Sequence, residues 1–585
     1  MAPNLVEADT KPLDNLSEKS VDFYSTQYLG NCKVVIGTST VEKDSHSINN
    51  GSTINGKTQS HDTGKVTLPL ILGAIFALLT CSIPSGYNVG SVNTPQKVLL
   101  FFCNSTLTER GITLSNESLA LLWSVCVSIL LLGAIVGTFF TNYLANSLGR
   151  KGALLISGLI GITGSILFFA SYYFRYVELL LLARFISGIH SGLTSGLVPL
   201  YIAEISPEKL KGSMGVLHVL GLNFGMIISQ ILGQENLLGT DFYWPILLSL
   251  PWVFIIIGMT IYKPSPSSPV YLYIVKRKFS KAANALAYLR RCHVSSMEEE
   301  IALLQKERKE QENNKSGWTF ISLLRSPEYR KLFLLVLLLH IGQQFSGINA
   351  VFYYSTAIFS DLGMTMKQAQ YGSICACGIN AVCSLIVIPV LGKMRRRSLL
   401  FTSLWGGIIF LIGLTITTKM KDSLSWAPFA TVSFFMAFVF IFAMGNGPIP
   451  WMIPSELLPQ STLSVAMGIG GFSNWAANFA VGLGFPIANS WLGDSVFLIF
   501  VAFGIFEAVI LYFYLPETSS NVDKTCSTEA ILSYPSLPSP STSSTSTATS
   551  SISKDKSFSI EESLENDCKF TDNNLQTNSA LQNSC

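Results

Sequence analysis

Charge is what this sequence lacks most. Only 13% of its 585 residues are Asp, Glu, Lys or Arg, while 49% are hydrophobic. Soluble domains carry about 25% charged residues, so an ordinary water-soluble fold is excluded. The net charge of +3 is too small for a polybasic surface, and no nucleic-acid partner is implied. Its 11 cysteines are scattered singly. Cys375 and Cys377 form a CxC pair inside an apolar run, with no His or second Cys pair at metal spacing. They read as small buried residues, and no metal is expected. No set of nucleophile, base and orienting group is visible, and no phosphate loop, so neither an enzyme nor a cofactor is expected. No cleavable signal peptide is visible either. Residues 1–65 are polar and rich in Ser, Thr, Asn and Asp, without an apolar core of their own. The first apolar segment then serves as the insertion signal.

What is present is a series of apolar runs of about 20 residues, the length that crosses a bilayer. They fall near 66–90, 119–144, 152–173, 178–202, 214–234, 243–262, 331–357, 370–391, 398–417, 428–451, 464–489 and 494–515, and are called spans 1–12. The expected architecture is an all-α membrane protein of twelve transmembrane helices in two six-helix bundles, 66–262 and 331–518. A helical linker, 263–330, joins them. The termini, 1–65 and 519–585, read as disordered, and the second includes a Ser/Thr/Pro run at Pro535–Ser553. The linker holds amphipathic patterns at Ser280–Arg291 and Met297–Gln311; a solvated connector is the alternative. Lys and Arg concentrate in one set of loops and in the linker, which makes that side and both termini cytoplasmic. Asn104 and Asn116, both in N-x-Ser/Thr sequons, then lie outside, where glycosylation is possible. The sequons at Asn15, Asn50 and Asn314 lie inside.

One stretch is out of keeping with a lipid environment: His340–Ile358, HIGQQFSGINAVFYYSTAI. An amide buried without a partner costs roughly 2–7 kcal/mol. Helices that carry such residues face protein or water. Gln343, Gln344 and Asn349 offer donors and acceptors together, which suits a neutral solute with many hydroxyls. Gluing helices together is the alternative. The halves also echo each other. Gly149-Arg-Lys after span 2 matches Met394-Arg-Arg-Arg after span 8, and Pro199-Leu-Tyr-Ile-Ala-Glu matches Pro450-Trp-Met-Ile-Pro-Ser-Glu. Such a repeat is typical of transporters with a site between the halves.

These motifs, together with Ser85-Gly-Tyr-Asn, Ala183-Arg-Phe, Gly447-Pro-Ile-Pro-Trp, Gly470-Gly-Phe-Ser-Asn-Trp and Pro516-Glu-Thr, resemble the sugar porters of the major facilitator superfamily, most closely the facilitative glucose transporters. The likeness covers about 66–518. It implies that Gln343, Gln344, Asn349, Asn380, Trp451 and Asn478 contact a sugar. It implies an outer gate at Tyr353 and Tyr354, and a break in span 10 at Gly445, Gly447, Pro448 and Pro450. Arg150, Lys151, Glu204 and Lys211, with Arg396, Arg397 and Glu456, resemble a clasp across the inner mouth; for Arg150 and Lys151 a topology signal is an equal explanation. Proton-coupled relatives carry Asp where this chain has Asn88, so the resemblance favours uniport.

The chain departs from the family pattern at several positions. Val219 stands where a sugar-facing Gln is usual, Ala443 where Glu is usual, and Gly392 where an acid is usual. Arg395 replaces a glycine of the same motif, Leu463 replaces an Arg, and Pro266-Ser-Ser-Pro-Val replaces Pro-Glu-Ser-Pro-Arg. His340-Ile-Gly stands where glucose-restricted relatives have Gln-Leu-Ser, and is similar to relatives that also admit fructose. The expected function is facilitative transport of a hexose, with glucose leading, in a plasma membrane. The alternatives are a non-transporting sugar sensor, or transport of fructose, another polyol or dehydroascorbate.

Overall fold

Thr67 caps the first crossing: its hydroxyl accepts the Leu70 N–H, and Pro69 follows in the first turn, where a missing N–H costs nothing. In the computed structural model, which describes residues 65–313, 318–391 and 394–517, this helix continues to Gly90. One turn, Leu78–Ser82, is π-wound and directly precedes Ile83-Pro84. Proline supplies no N–H to the preceding turn, and a π turn absorbs that loss.

The other crossings are span 2, Asn116–Ser147; span 3, Gly149–Phe174; span 4, Val177–Ile205; span 5, Leu217–Leu232; and span 6, Trp244–Ser249 with Pro251–Thr260. In the second half, span 7 is Arg330–Phe345 with Ile348–Asp361, span 8 Met366–Leu391, and span 9 Arg396–Lys419. Span 10 is Ala427–Met444 with Ile449–Leu457, span 11 Gln460–Leu492, and span 12 Phe497–Tyr514. No strand occurs among the described residues. Ten of the crossings meet a bilayer's demands of length and apolarity. Span 6 is shorter, and span 11, though 33 residues long, is diluted by Ser473, Asn474, Asn478 and Asn489. Aromatic and branched side chains such as Phe139, Ile166, Phe429 and Phe513 point outward, as a lipid solvent requires.

The expected spans match these helices to within a few residues, except that span 10 runs six residues beyond 451, to Leu457. A further helix, Gln96–Glu109, follows span 1 and carries Asn104 on its exposed face. Asn116 is the first residue of span 2. The termini, Gly392 and the sequons at Asn15, Asn50 and Asn314 lie outside the described residues.

The linker forms helices at Phe279–Arg290, Glu298–Asn313 and Phe320–Arg325. Ala282, Leu286 and Leu289 are its buried face, as their spacing implies. Arg290 joins the first helix to the second through both oxygens of Glu300, at 3.0 Å each. It also donates to Ile205 O, at the C-terminus of span 4, where a cation complements the helix dipole. The linker helix is thereby docked on the first half rather than merely solvated.

Spans 2 and 4 meet through paired GxxxG motifs, Gly133/Gly137 and Gly188/Gly192. A Cβ on any of the four would run into a backbone carbonyl of the facing helix: Phe185, Ile189, Leu130 or Ala134. Within lipid, close backbone packing of this kind substitutes for the hydrophobic drive available in water. Gly192→Ala is expected to destabilise the folded protein by about 1–3 kcal/mol through overpacking. Gly378→Ala, where a Cβ meets open space, is expected to be neutral. Thermal unfolding of the two variants in detergent checks this.

Candidate functional site

The polar stretch of span 7 is where the helix breaks. Gly347 takes φ 88° between Phe345 and Ile348, a left-handed conformation open to glycine and strained for other residues. Span 10 breaks level with it, its backbone leaving the helix from Gly445 and resuming at Ile449 behind Pro448. Gly445, Gly447, Pro448 and Pro450 all lie in or beside that interruption. Between the two broken helices and spans 1, 4, 5, 8 and 11 lies a cavity of about 140 Å³.

All six residues expected at a sugar site line this cavity: Gln343, Gln344, Asn349, Asn380, Trp451 and Asn478. They are also bonded to their neighbours. Gln343 Nε2 donates to Asn446 O (2.9 Å) and Gly447 O (2.7 Å), the carbonyls freed by the break in span 10. Asn474 Nδ2 donates to Gln343 Oε1 (2.8 Å) and His340 O (3.0 Å). Gln344 Nε2 donates to Asn474 Oδ1 (3.0 Å), and Asn349 donates to Gln344 Oε1. Asn380 Nδ2 reaches across the halves to Asn223 Oδ1 (2.8 Å), and Asn223 Nδ2 donates to Ser384 Oγ (2.7 Å). Each amide nitrogen carries two hydrogens, so Gln344, Asn349 and Asn380 each keep donor capacity beyond the bond just described. The gluing and solute-facing roles are therefore not exclusive: the same amides do the first and border the space needed for the second.

Trp451 lies between two histidine rings, both edge-on, with centroids 6.1 Å away at His218 and 4.8 Å at His340. His340 is fully buried behind the indole. Val219 and Ala443, two of the departures from the family pattern, both line the cavity. Tyr353 and Tyr354 are buried and hold span 7 to span 11, donating to Asn478 Oδ1 (3.2 Å) and Gly482 O (2.8 Å).

Residues 74–522 match the profile of sugar (and other) transporters. The chain belongs to that family. It is 37% identical over 457 residues to facilitated glucose transporter member 3 of Ovis aries, covering 78% of this chain and 91% of that protein. It is 36% identical over 456 residues to facilitated glucose transporter member 1 of Gallus gallus, covering 78% and 92%. Among solved structures, the proton:xylose symporter XylE bound to 6-bromo-6-deoxy-D-glucose superposes with a TM-score of 0.68 at 22% identity, over 78% of this chain and 98% of that one. The fold is that of the major facilitator superfamily: twelve crossings in two six-helix bundles.

Asn223, Ser195, His218, Asn474 and Trp475, none of them among the expected sugar contacts, also border the cavity. Asn474 and Trp475 stand inside the quoted motif of span 11, and Asn223 is an isolated amide in an apolar run. Those signals were available. What was not available is that Trp475 Nε1 crosses to Ser195 Oγ on span 4, at 3.0 Å.

The two faces of the molecule are joined differently. On the face opposite the linker, neutral side chains bridge the halves. Asn93 Nδ2 donates to Ser355 Oγ (3.0 Å) and Ser373 Oγ (2.9 Å), and Thr356 Oγ1 donates to Asn93 Oδ1 (3.2 Å). Ser373 Oγ donates to Gln230 Oε1 (2.8 Å), and Gln370 Nε2 to Thr94 O (3.2 Å). On the linker face, the charged residues expected to form a clasp pair within their own halves in this structure. Arg150 pairs with Glu204 (2.8 Å), Lys211 with Glu208 (2.6 Å) and Arg396 with Glu456 (3.2 Å), each within its own half. Lys151 Nζ donates to Ser265 O and Arg397 to Tyr512 O, again within one half. For Arg150 and Arg396 the reason is reach: each lies at the foot of a helix whose packed neighbour ends in the carboxylate. Ser268, from the altered Pro266-Ser-Ser-Pro-Val segment, bonds the second oxygen of Glu204.

Asn93→Ala removes three bonds between the halves, each worth about 0.5–1.5 kcal/mol net. The expected result is a larger population open on the face opposite the linker. Distance distributions between spin labels on the ends of spans 2 and 8 at that face should broaden to longer values.

Proposed function

We propose that this chain is a facilitative hexose uniporter, with glucose the leading substrate, working by alternating access between its two halves. The observation that carries this is the cavity: a mid-membrane space shared by both halves and bordered by amides, hydroxyls and the indoles of Trp451 and Trp475. Amides match sugar hydroxyls, and an indole supplies an apolar face with a single donor. Relatives at 36–37% identity named as facilitated glucose transporters support the same substrate class.

Uniport is favoured by the surroundings of Asn88. Arg184, 1% exposed, is satisfied by three carbonyls, Asn88 O (2.7 Å), Cys126 O (3.1 Å) and Val127 O (3.2 Å). It needs no carboxylate at position 88, and an amide there exchanges no proton. In this proposal Gln343, Gln344, Asn349, Asn380, Trp451 and Asn478 bind the sugar. Tyr353 and Tyr354 close over it, and the breaks at Gly347 and Gly445–Pro448 let the inner ends of spans 7 and 10 move. The charge pairs keep each half stiff. The linker face is cytoplasmic with both termini, Asn104 and Asn116 are outside, and the membrane is the plasma membrane. The structure is then closed on the outside.

Val219 and Ala443 favour a second reading. Two positions that commonly hold polar side chains are apolar here, so the preferred solute is one with fewer hydroxyl demands, or sugar is bound without rapid passage.

Purified protein in liposomes is expected to show saturable hexose uptake that survives a proton ionophore and the replacement of sodium. Uptake that collapses with the ionophore argues for symport, and binding without flux argues for a sensor. Gln343→Ala and Asn380→Ala are each expected to weaken hexose binding by up to about tenfold, the equivalent of one lost hydrogen bond. Unchanged affinity counts against this site.

A further inference from the structure

Span 12 carries one carboxyl group in an otherwise apolar helix: Glu507, 2% exposed. No role described above uses it. An ionisable group inside a membrane is costly to keep, and it marks function more often than packing. Its Oε1 is buried and has no hydrogen-bond partner. The carboxyl lies against the backbone of span 7 at Gly342, where any Cβ would collide with its Cδ and both oxygens. Gly342 thus makes room for Glu507 one turn before the break in span 7.

Beside the carboxyl is a second, separate cavity of about 20 Å³, to which Ser346, Ser403, Phe442, Asn446 and Phe500 contribute. It has space for one water. Apart from the Asn446 amide nitrogen, its polar side-chain atoms can act only as acceptors or have already spent their hydrogens. Ser346 and Ser403 spend their hydroxyl hydrogens on Gln343 O (2.6 Å) and Ile441 O (2.8 Å). Asn446 Oδ1 is buried and, like Glu507 Oε1, has no partner. Spans 7, 9, 10 and 12 all contribute to the lining, and Glu507 is its single titratable or charged side chain. The nearest histidine on span 7, His340, turns instead to Trp451. A carboxylate here, with no cation in the lining, would be an uncompensated buried charge.

We propose that Glu507 and this cavity form a proton-and-water site. The carboxylate takes one proton from bulk water and becomes a neutral acid. It then donates through a single cavity water to Asn446 Oδ1, tying span 12 to the break in span 10. The proton stays resident and is not carried with the sugar. The same segment of span 10 offers Asn446 O and Gly447 O to Gln343, so the site and the cavity amides share one piece of backbone. Loss of the proton places a negative charge beside Asn446 Oδ1 and loosens that segment. The consequence for flux rests on the hexose-transport reading; the protonation itself does not.

The test uses the full chain in lipid bilayers and Glu507→Gln, which keeps the shape and a donor. The infrared difference spectrum, wild type minus E507Q at neutral pH, is expected to show a protonated-carboxyl band that shifts in D₂O. Carboxylate bands in its place overturn the proposal. Thermal unfolding of the wild type is expected to be the same in sodium and choline chloride; stabilisation by sodium overturns it in favour of a metal cation, and this measurement stands even if E507Q does not fold. Equilibrium exchange of glucose is expected to fall several-fold for the wild type from neutral to alkaline pH and to stay level for E507Q. Parallel profiles overturn the link to transport. If neither protein moves hexose, the transport reading fails while the infrared band still decides the proton site.

Discussion

A polar group inside a bilayer has no water to turn to, and this chain's structure follows from how it answers that constraint. The amides of span 7 are supplied by helix breaks. Gln343 takes up the carbonyls that span 10 releases at Asn446 and Gly447, and Asn474 connects Gln343, Gln344 and the backbone at His340. Each element solves the other's problem. A break in a membrane helix exposes carbonyls that need donors, and a buried amide needs acceptors. Neither is tolerable alone, and together they border a cavity.

The two kinds of polar contact are distributed by strength. Ion pairs sit inside each half, and the buried pair Arg150–Glu204 is the clearest case. Breaking such a pair by removing one partner costs about 3–5 kcal/mol, so it suits a body that moves as a unit. The halves meet on the face opposite the linker through neutral bonds, such as those of Asn93, worth about 0.5–1.5 kcal/mol each. Contacts of that size can be exchanged in every cycle. Rigid halves joined by weak, reversible bonds are what a rocking mechanism needs.

Specificity has less polar material to work with. Val219 and Ala443 contribute methyl groups to the cavity wall. Trp451 is fixed from two sides by histidines, so the indole is a rigid surface and not an adaptable one. In the proposed function, recognition falls to span 7, to Asn380 with Asn223, and to the span 11 amides, all of which line the cavity.

The amino-acid order by itself determined the number of crossings, because bilayer thickness imposes a length that composition reveals directly. It also pointed to six of the residues that border the cavity, since an amide or a GxxP-type break in an apolar run has few other places to go, but not to Asn223, Ser195 or His218. Pairing was decided only by the tertiary structure. The order of residues does not say which carboxylate Arg150 or Arg396 meets, and the packing of neighbouring helices selects the near one. Asn93 lies in an unremarkable turn, and only the approach of spans 7 and 8 makes it a bridge. Glu507 reads as a blemish in an apolar helix until folding sets it against Gly342 and the unpartnered oxygen of Asn446. Distance along the chain carries no information about such meetings; the close approach of helices, permitted by glycine, creates them.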